Sequence, residues 1–423
     1  MISGDELAAV VLARAAWSRL AEPGDLVAGA VVAALGPCDA LAWLREVAPR
    51  GEANGSGPDA GPRNGLSGLG PEVARRLGSA VDRWLPRLAT LDPRRELDTL
   101  ARLGGFVVVP EGPGWPAGLD DLGAAAPPCL WVRGVPDLSR HLERSIAVIG
   151  ARACTSYGEH VAAELAAGMA TAGWSVVSGG AYGIDAVAHR AALATTGTTV
   201  AFLAGGVDRL YPAGNTRLLA AICDAGGALV SEVPPGCVPS RSRFLQRNRL
   251  IAASARATVV VEAAWRSGAL NTAGHAATLL RPVGAVPGPV TSAASAGCHR
   301  LLRDGAAVCV TDTAEVLDLA GGVGTDLAPR RVVPPAVGDG LGPEASRTLD
   351  ALPMRRGAEA ESVARTAGLA IGEVRAALGS LELAGLAVQE GGRWSRRVIK
   401  GGIQSGQNGM SQATEQSHPP RSG

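Results

Sequence analysis

The sequence predicts an α/β protein with a doubly wound, mostly parallel sheet, a helical segment before it and a winged helix-turn-helix after it. Two observations predict the sheet. Short β-rich apolar runs recur from Phe106 onward, and alanine-rich stretches of helical length separate most of the later ones. Strands buried on both faces and alternating with helices make a parallel sheet covered on either side. A third observation is a compact helical pattern near the end of the chain that closes on a Gly-Gly hairpin.

In chain order, helical periodicity covers Leu7–Leu20 and Asp25–Leu35, with Pro-Gly breaks between, and resumes from Pro71 to about Leu103. Residues 1–100 are therefore expected to form a helical domain, and the Gly-, Pro-, Asn- and Ser-rich stretch 51–70 a flexible insertion. The α/β domain is expected over 101–320. Its strands are placed at Phe106–Val109, Cys129–Val132, Ser145–Ile149, Ser175–Val177, Thr198–Phe202, Ala228–Ser231, Thr258–Val261 and Val283–Val286. Glu159–Ala172 and Asp185–Ala194 are two of the intervening helices. Residues 321–343 read as a linker. Residues 344–400 carry a first helix with Leu349 and Leu352, a second with Val363, Ala364 and Ala367, and a third with Val374, Leu378, Leu381 and Ala384. The hairpin of Val388, Gly391, Gly392 and Trp394 supplies the wing. The polar tail 401–423 is expected to be disordered.

At 423 residues the chain is long enough for two or three domains and a large core. It is 47% hydrophobic and 19% charged, which excludes wholesale disorder. Seven cysteines without a CxxC pair point to reduced thiols and away from a metal site. Asp5 and Glu6 stand where a signal peptide would be basic, and no apolar run has the length of a membrane span. A cytoplasmic protein is the expectation. The formal net charge of +1 carries no nucleic-acid signature, yet Arg144–Val310 holds 14 arginines against 8 acidic residues. Arg241, Arg243, Arg247 and Arg249 fall within nine residues, which points to an anionic ligand, the alternative being a solvated arginine face.

Ligands of open parallel sheets bind beyond the carboxyl ends of the strands. Ser145–Ile149 runs into Gly150-Ala151-Arg152 and then Thr155-Ser156 at the head of a helix. Glycine, hydroxyls, a helix N-terminus and a forked guanidinium together suggest a phosphate cradle. It is neither GxGxxG nor a Walker lysine motif. Ser178-Gly179-Gly180, Gly205-Gly206 with Tyr211, and Ser267-Gly268 repeat the theme at other strand ends. Many such loops suit a string of phosphates better than one mononucleotide. Phe244, one of three phenylalanines, lies among arginines, as a stacking platform for unpaired bases does. The alternative has Phe244 packing under its own loop while Arg247 and Arg249 brace the next helix. Asp185, His189 and Glu262 show no nucleophile–base spacing. Asp185 is expected to cap the helix Ala186–Ala194, and Cys154 reads as a scattered small residue. No catalytic residue, metal ligand or cofactor is assigned.

The strings IAVIGARACTSYG, SGGAYGIDAVAH, GGVDRLYPAGN, SEVPPG, FLQRNRLIAASA, VVEAAWRSGALNTA and GAVPG follow in that order over Ile146–Gly288. Together they resemble the DNA-processing protein A family, also called Smf. The resemblance implies an extended Rossmann-like domain and a non-enzymatic, homodimeric single-stranded DNA-binding protein. It further implies protection of incoming strands in natural transformation and loading of RecA recombinase. The implied contacts are Gly150, Arg152 and Ser156, then Ser178, Gly179 and Gly180, then Arg217, and finally Phe244, Arg247, Asn248 and Arg249. The chain departs from the family at Ala151, where a serine is usual. It departs again at Gly297-Cys298-His299, where Gly-Ser-Asn is usual, and from Tyr211-Pro212 onward, where Ala213 and Thr216 are neutral and the basic residue is Arg217.

Two other classes stay open at the level of sequence. One is a nucleotide-processing enzyme of the lysine-decarboxylase-like phosphoribohydrolase type, of which only Pro287-Gly288 and Glu262 carry an echo. The other is a transcription regulator whose winged helix reads duplex DNA while the α/β domain senses a nucleotide; in the single-stranded DNA reading the winged helix adds duplex contact through Arg375 or Arg393, Arg396 and Arg397, or docks a protein.

Overall fold

The computed structural model describes residues 3–47, 66, 69–135, 137–322, 341–354 and 356–397. Nearly all of the expected insertion 51–70, most of the linker 321–343 and the whole tail 401–423 lie outside the described residues. Contacts divide the chain into two compact units, Met1–Pro329 and Arg330–Gly423.

The first unit opens with five helices: α1 (Gly4–Leu20), α2 (Leu26–Leu35), α3 (Pro37–Val47), α4 (Pro71–Leu88) and α5 (Pro93–Arg102). Ser3 starts α1 through a capping box with Glu6, and Asp25 starts α2 by accepting from the amides of Val27 and Ala28. α1 to α4 enclose a core in which Trp17 and Trp84 meet edge to face at 5.3 Å. These helices also pack on the sheet that follows. Ala15 of α1 and Leu100 of α5 join the core that holds Trp131 and Leu229, and Trp131 donates to Ser18 at 3.1 Å. Arg14 grips Glu111 with two nitrogens, at 2.6 and 2.5 Å.

Nine strands then form one sheet: β1 (Gly105–Val108), β2 (Leu130–Gly134), β3 (Ser145–Ile149), β4 (Ser175–Ser178), β5 (Thr199–Leu203), β6 (Ala228–Ser231), β7 (Ala257–Val260), β8 (Val283–Ala285) and β9 (Val308–Cys309). Their spatial order is β1-β2-β6-β5-β4-β3-β7-β8-β9. β1 and β2 pair antiparallel with each other, and β2 pairs antiparallel with β6. Every other pairing is parallel. All eight expected strands are present with ends shifted by a residue or two. The two-residue β9 was not foreseen, because it is too short for a periodic signal.

Period two is visible inside β3, where Ala147 and Ile149 face one core and Ile146 and Val148 the other. The first core is covered by α6 (Leu138–Glu143), α10 (Arg241–Ser254), α11 (Ala269–Thr278) and α12 (Ala296–Arg303). α7 (Ser156–Thr171), α8 (Ile184–Ala194) and α13 (Thr313–Ala320) cover the second, while α9 (Thr216–Asp224) lies over β5 and β6. Small alanines let these helices lie close to the strands. From β3 the chain winds through β4 and β5 to β6, then returns through α10 to β7 on the other side of β3. The winding direction therefore reverses between β3 and β7, and a crevice opens at that switch point.

The second unit holds α14 (Pro343–Ala351), α15 (Ala360–Ala367), α16 (Ile371–Leu383) and the antiparallel hairpin β10 (Ala387–Glu390) with β11 (Arg393–Arg396). Leu349, Val363, Val374, Leu378 and Leu381 fill its core. Arg375 pairs with Glu361 at 2.8 Å and Arg396 approaches Asp350 at 3.9 Å, so these two helix and hairpin cations already face carboxylates. No single described helix is long and apolar enough to cross a membrane.

Candidate nucleic-acid interface

A cleft of about 590 Å³ lies at the switch point. The β3 loop gives it Gly150 and Arg152, α10 gives Arg241, Phe244, Arg247 and Asn248, and the β7 loop gives Ser267 and Gly268. Tyr211 and Asp185 also line it. Arg152, Arg241 and Arg247 face it against Asp185 as its one lining carboxylate, so the cleft is cationic.

Phe244 is half-buried at the centre of a stack. The Arg152 guanidinium sits 5.0 Å from its ring centroid, Arg247 sits 5.8 Å away, and the half-exposed Tyr211 ring tilts against it at 5.9 Å. Cation–π contact holds the two guanidiniums without neutralising them. Arg152 and Arg241 are exposed and form no ion pair or hydrogen bond among the described residues, so their donors face solvent. Arg241 and Tyr211 were missed as site residues. The signal for Arg241 was its place in the arginine cluster, and for Tyr211 its place at a strand end.

The arginine cluster splits by position on α10. Arg247 is buried and donates through Nη1 to the carbonyls of Gly179 and Phe202, and through Nε to Asn248. Burial, helped by Arg152 and opposed by Asp185, pushes its pKa down to about 10, which leaves it charged. Asn248 in turn donates to Asn271 at 3.2 Å. Arg249 points into the interior. It pairs with Glu232 at 2.7 and 2.6 Å, and also donates to the carbonyls of Ala125 and Gln246. Four of its five donors are engaged, so Arg249 braces the fold and is absent from the cleft wall. Arg243 donates to Glu22 and to the Val238 carbonyl, tying α10 to the segment between α1 and α2.

At two of the expected phosphate cradles, the Ser178–Ala181 loop and the Thr155 turn before α7, donors are engaged within the fold. The Ser178 hydroxyl is buried and donates to the Val148 carbonyl at 2.6 Å. The amides of Gly179 and Ala181 donate to Asp185, so Asp185 holds the preceding loop and does not cap its own helix. A Cβ on Gly179 would overlap the Arg247 guanidinium, the close approach that glycine permits here. Ser178, Gly179 and buried Gly180 are scaffold for the cleft and do not line it. At the head of α7 the nearly inaccessible Glu262 accepts from the Thr155 amide at 2.9 Å and from its hydroxyl at 2.5 Å. A carboxylate thus already occupies the helix N-terminus that was expected to receive phosphate. Ser156 beside it is exposed but outside the cleft wall, as is Arg217 on α9. The cleft gathers Gly150, Arg152, Phe244, Arg247 and Asn248 and leaves out the other six expected contacts.

His189 is buried with Nδ1 2.7 Å from the Thr199 hydroxyl, and burial with nearby Arg247 and Arg190 pushes its pKa down to about 3. It is a neutral core residue with no bond to Asp185 among the described residues. At the departures from the family pattern, Cys298 lies against the carbonyls of Val260 and Val261, and His299 bonds the Gly288 carbonyl at 3.0 Å. Both keep a structural bond. Among the described residues no group of three or more His, Cys, Asp or Glu is arranged to hold a metal.

The family model described as DNA recombination-mediator protein A matches residues 106–321. A putative DNA processing protein DprA of Mycobacterium tuberculosis is 44% identical over 400 residues, covering 92% of this chain and 95% of the relative. Protein Smf of Synechocystis is 30% identical over 350 residues, covering 75% and 86%. The X-ray structure of DNA processing protein A from Streptococcus pneumoniae superposes with a TM-score of 0.52 and 31% identity, covering 59% of this chain and 86% of that one. With the motif order, the switch-point cleft and these likenesses in agreement, the chain belongs to the DNA recombination-mediator protein A (DprA/Smf) family.

Proposed function

We propose that the protein binds single-stranded DNA in the switch-point cleft, stacking a base on Phe244 and Tyr211 and gripping phosphates with Arg152 and Arg241. The observation that carries this reading is the unpaired Arg152 guanidinium lying on Phe244, with buried, charged Arg247 against the same ring. Duplex DNA hides the base faces such a platform needs, whereas an unpaired strand offers them. Arg247 and Asn248 act from the cleft wall, Gly150 gives the backbone close approach, and Ser178, Gly179, Gly180 and Arg249 hold the wall in place. Ser156 and Arg217 extend the surface available to further phosphates.

The reading is one of binding without catalysis, in the cytoplasm. Glu262, the one carboxylate that could serve the phosphoribohydrolase alternative, is spent on Thr155 and shielded from solvent, which disfavours that alternative. As the family resemblance implies, the protein works as a homodimer that protects incoming strands and loads RecA recombinase. The segment 344–400 is read as a winged helix for duplex contact or protein docking.

The test is fluorescence anisotropy with single-stranded and duplex oligonucleotides across a salt titration. The single strand should bind more tightly. Arg152→Ala should flatten its slope of log K against log salt by about 0.7, the value for one phosphate neutralised. Phe244→Ala should cost about 1–3 kcal/mol with little change of slope, since stacking releases no counterions. Equal duplex affinity, or a silent Arg152→Ala, overturns the reading.

A further inference from the structure

Beyond the cleft, the loop after β7 carries an aromatic side chain that the folded core does not use. Of the eight tryptophans, Trp265 alone ranks among the exposed large side chains, at 52%. The Arg300 guanidinium from α12 lies 5.2 Å from its ring centroid. The Arg300 guanidinium forms no ion pair or hydrogen bond among the described residues, so its donors are open to a ligand. Residues 264–268 and 296–302 contribute Arg266 and Arg300 and no acidic residue. The pairing is preset by packing. The Gly297 amide donates to the Ala263 carbonyl at 2.7 Å, and a Cβ at Gly297 would crowd Ala263 and the Ala264 carbonyl. That contact docks the start of α12 on the β7 loop and so sets Arg300 over the indole.

The same loop runs directly into the cleft. Ser267 and Gly268, two and three residues after Trp265, line it, and the Ser267 amide turns back onto the Ala264 carbonyl at 3.0 Å. Three residues span at most about 11 Å, a few nucleotides of strand. An indole backed by a free guanidinium repeats the chemistry of Phe244 backed by Arg152. Base–aromatic stacking tolerates any base, because every base has a π-face.

We propose that Trp265 and Arg300 form a second stacking platform, which takes an unpaired base of the same DNA strand after it leaves the Phe244 cleft across the carboxyl edge of β7 toward β8. This inference rests on the single-stranded DNA reading of the cleft and adds to it the direction of the strand and a second base site. The ligand is an unpaired nucleobase with its phosphate, the base on the indole and the phosphate at Arg300 or Arg266.

The test uses the full chain and labelled oligothymidines of about 2 and about 20 nucleotides, the shorter too short to reach from the cleft to Trp265. Phe244→Ala should weaken both. Trp265→Ala should weaken the longer by about 5- to 150-fold and leave the shorter unchanged. Arg300→Gln should weaken the longer strand alone as well, and Trp265→Phe should recover much of the loss because a π-face returns. The longer strand should quench tryptophan emission in the wild type and much less in Trp265→Phe. If Trp265→Ala and Arg300→Gln bind the longer strand like the wild type while Phe244→Ala does not, the second platform is wrong and the cleft reading stands. If Phe244→Ala is silent and Trp265→Ala is not, the cleft reading fails and with it the path from cleft to platform, leaving Trp265 as a stacking site on its own. If the wild type binds neither strand, both fall.

Discussion

Arg249→Ala separates a brace from a ligand contact, and the structure fixes the size of its effect. The Arg249 and Glu232 side chains are 3% and 6% exposed and meet through two charge-assisted hydrogen bonds at 2.6 and 2.7 Å. Truncating Arg249 leaves the Glu232 carboxylate buried without its counter-charge and removes the guanidinium bonds to the carbonyls of Ala125 and Gln246. Breaking one side of a buried ion pair costs about 3–5 kcal/mol, because the remaining charge keeps its desolvation penalty. With an urea m-value of about 3 kcal/mol/M, the midpoint should fall by more than about 1 M. Tryptophan emission is a suitable probe, since every tryptophan except Trp394 lies in the first unit. Arg152→Ala is the control. Its guanidinium is exposed and unpaired, so the midpoint should move by no more than about 0.5 kcal/mol in stability while oligonucleotide affinity drops. The reasoning is refuted if Arg249→Ala keeps the wild-type midpoint and loses affinity, because Arg249 would then be a ligand contact.

His189 should make stability fall with acid. Its pKa is held near 3 in the fold against 6.5 when unfolded, so between those values the unfolded chain binds the extra proton and stability drops as pH falls. By about pH 5 the loss reaches about 2 kcal/mol. Buried Asp185, raised by burial, titrates in the opposite sense, so the difference between wild type and His189→Gln in urea melts is the quantity to follow; parallel curves would rule the effect out. Gly179→Ala should push the Arg247 guanidinium from its place and weaken oligonucleotide binding without touching Arg152, an outcome that anisotropy and a melt together can check. Glu22→Gln, which removes one surface partner of Arg243 and Arg87, should cost under about 1 kcal/mol in the same melt.

Period and punctuation made the sheet legible in advance. β3 alternates between two cores, and Ala228–Ser231 is bounded as expected, because burial on both faces leaves a short apolar run closed at each end by turn residues. The loops at the strand ends were legible too, since glycines and hydroxyls gather there. Which of them hold donors free for a ligand was not. Gly179 and Thr155 satisfy their amides on Asp185 and Glu262, residues six and more than a hundred positions away, and no spacing rule ties those pairs together.

The arginine cluster shows the same division. Composition alone located Arg241, Arg243, Arg247 and Arg249 on one segment and Phe244 among them. Only the helical turn of α10, packed on the sheet beside α11 and residues 117–125, sends Arg249 inward to Glu232, Arg243 to Glu22 and Arg241 to the cleft. Local sequence fixes residue types and periodicity, which are properties of neighbours along the chain. Whether a charge is free or spent depends on partners brought from distant positions, and those are chosen by the packing of the whole unit.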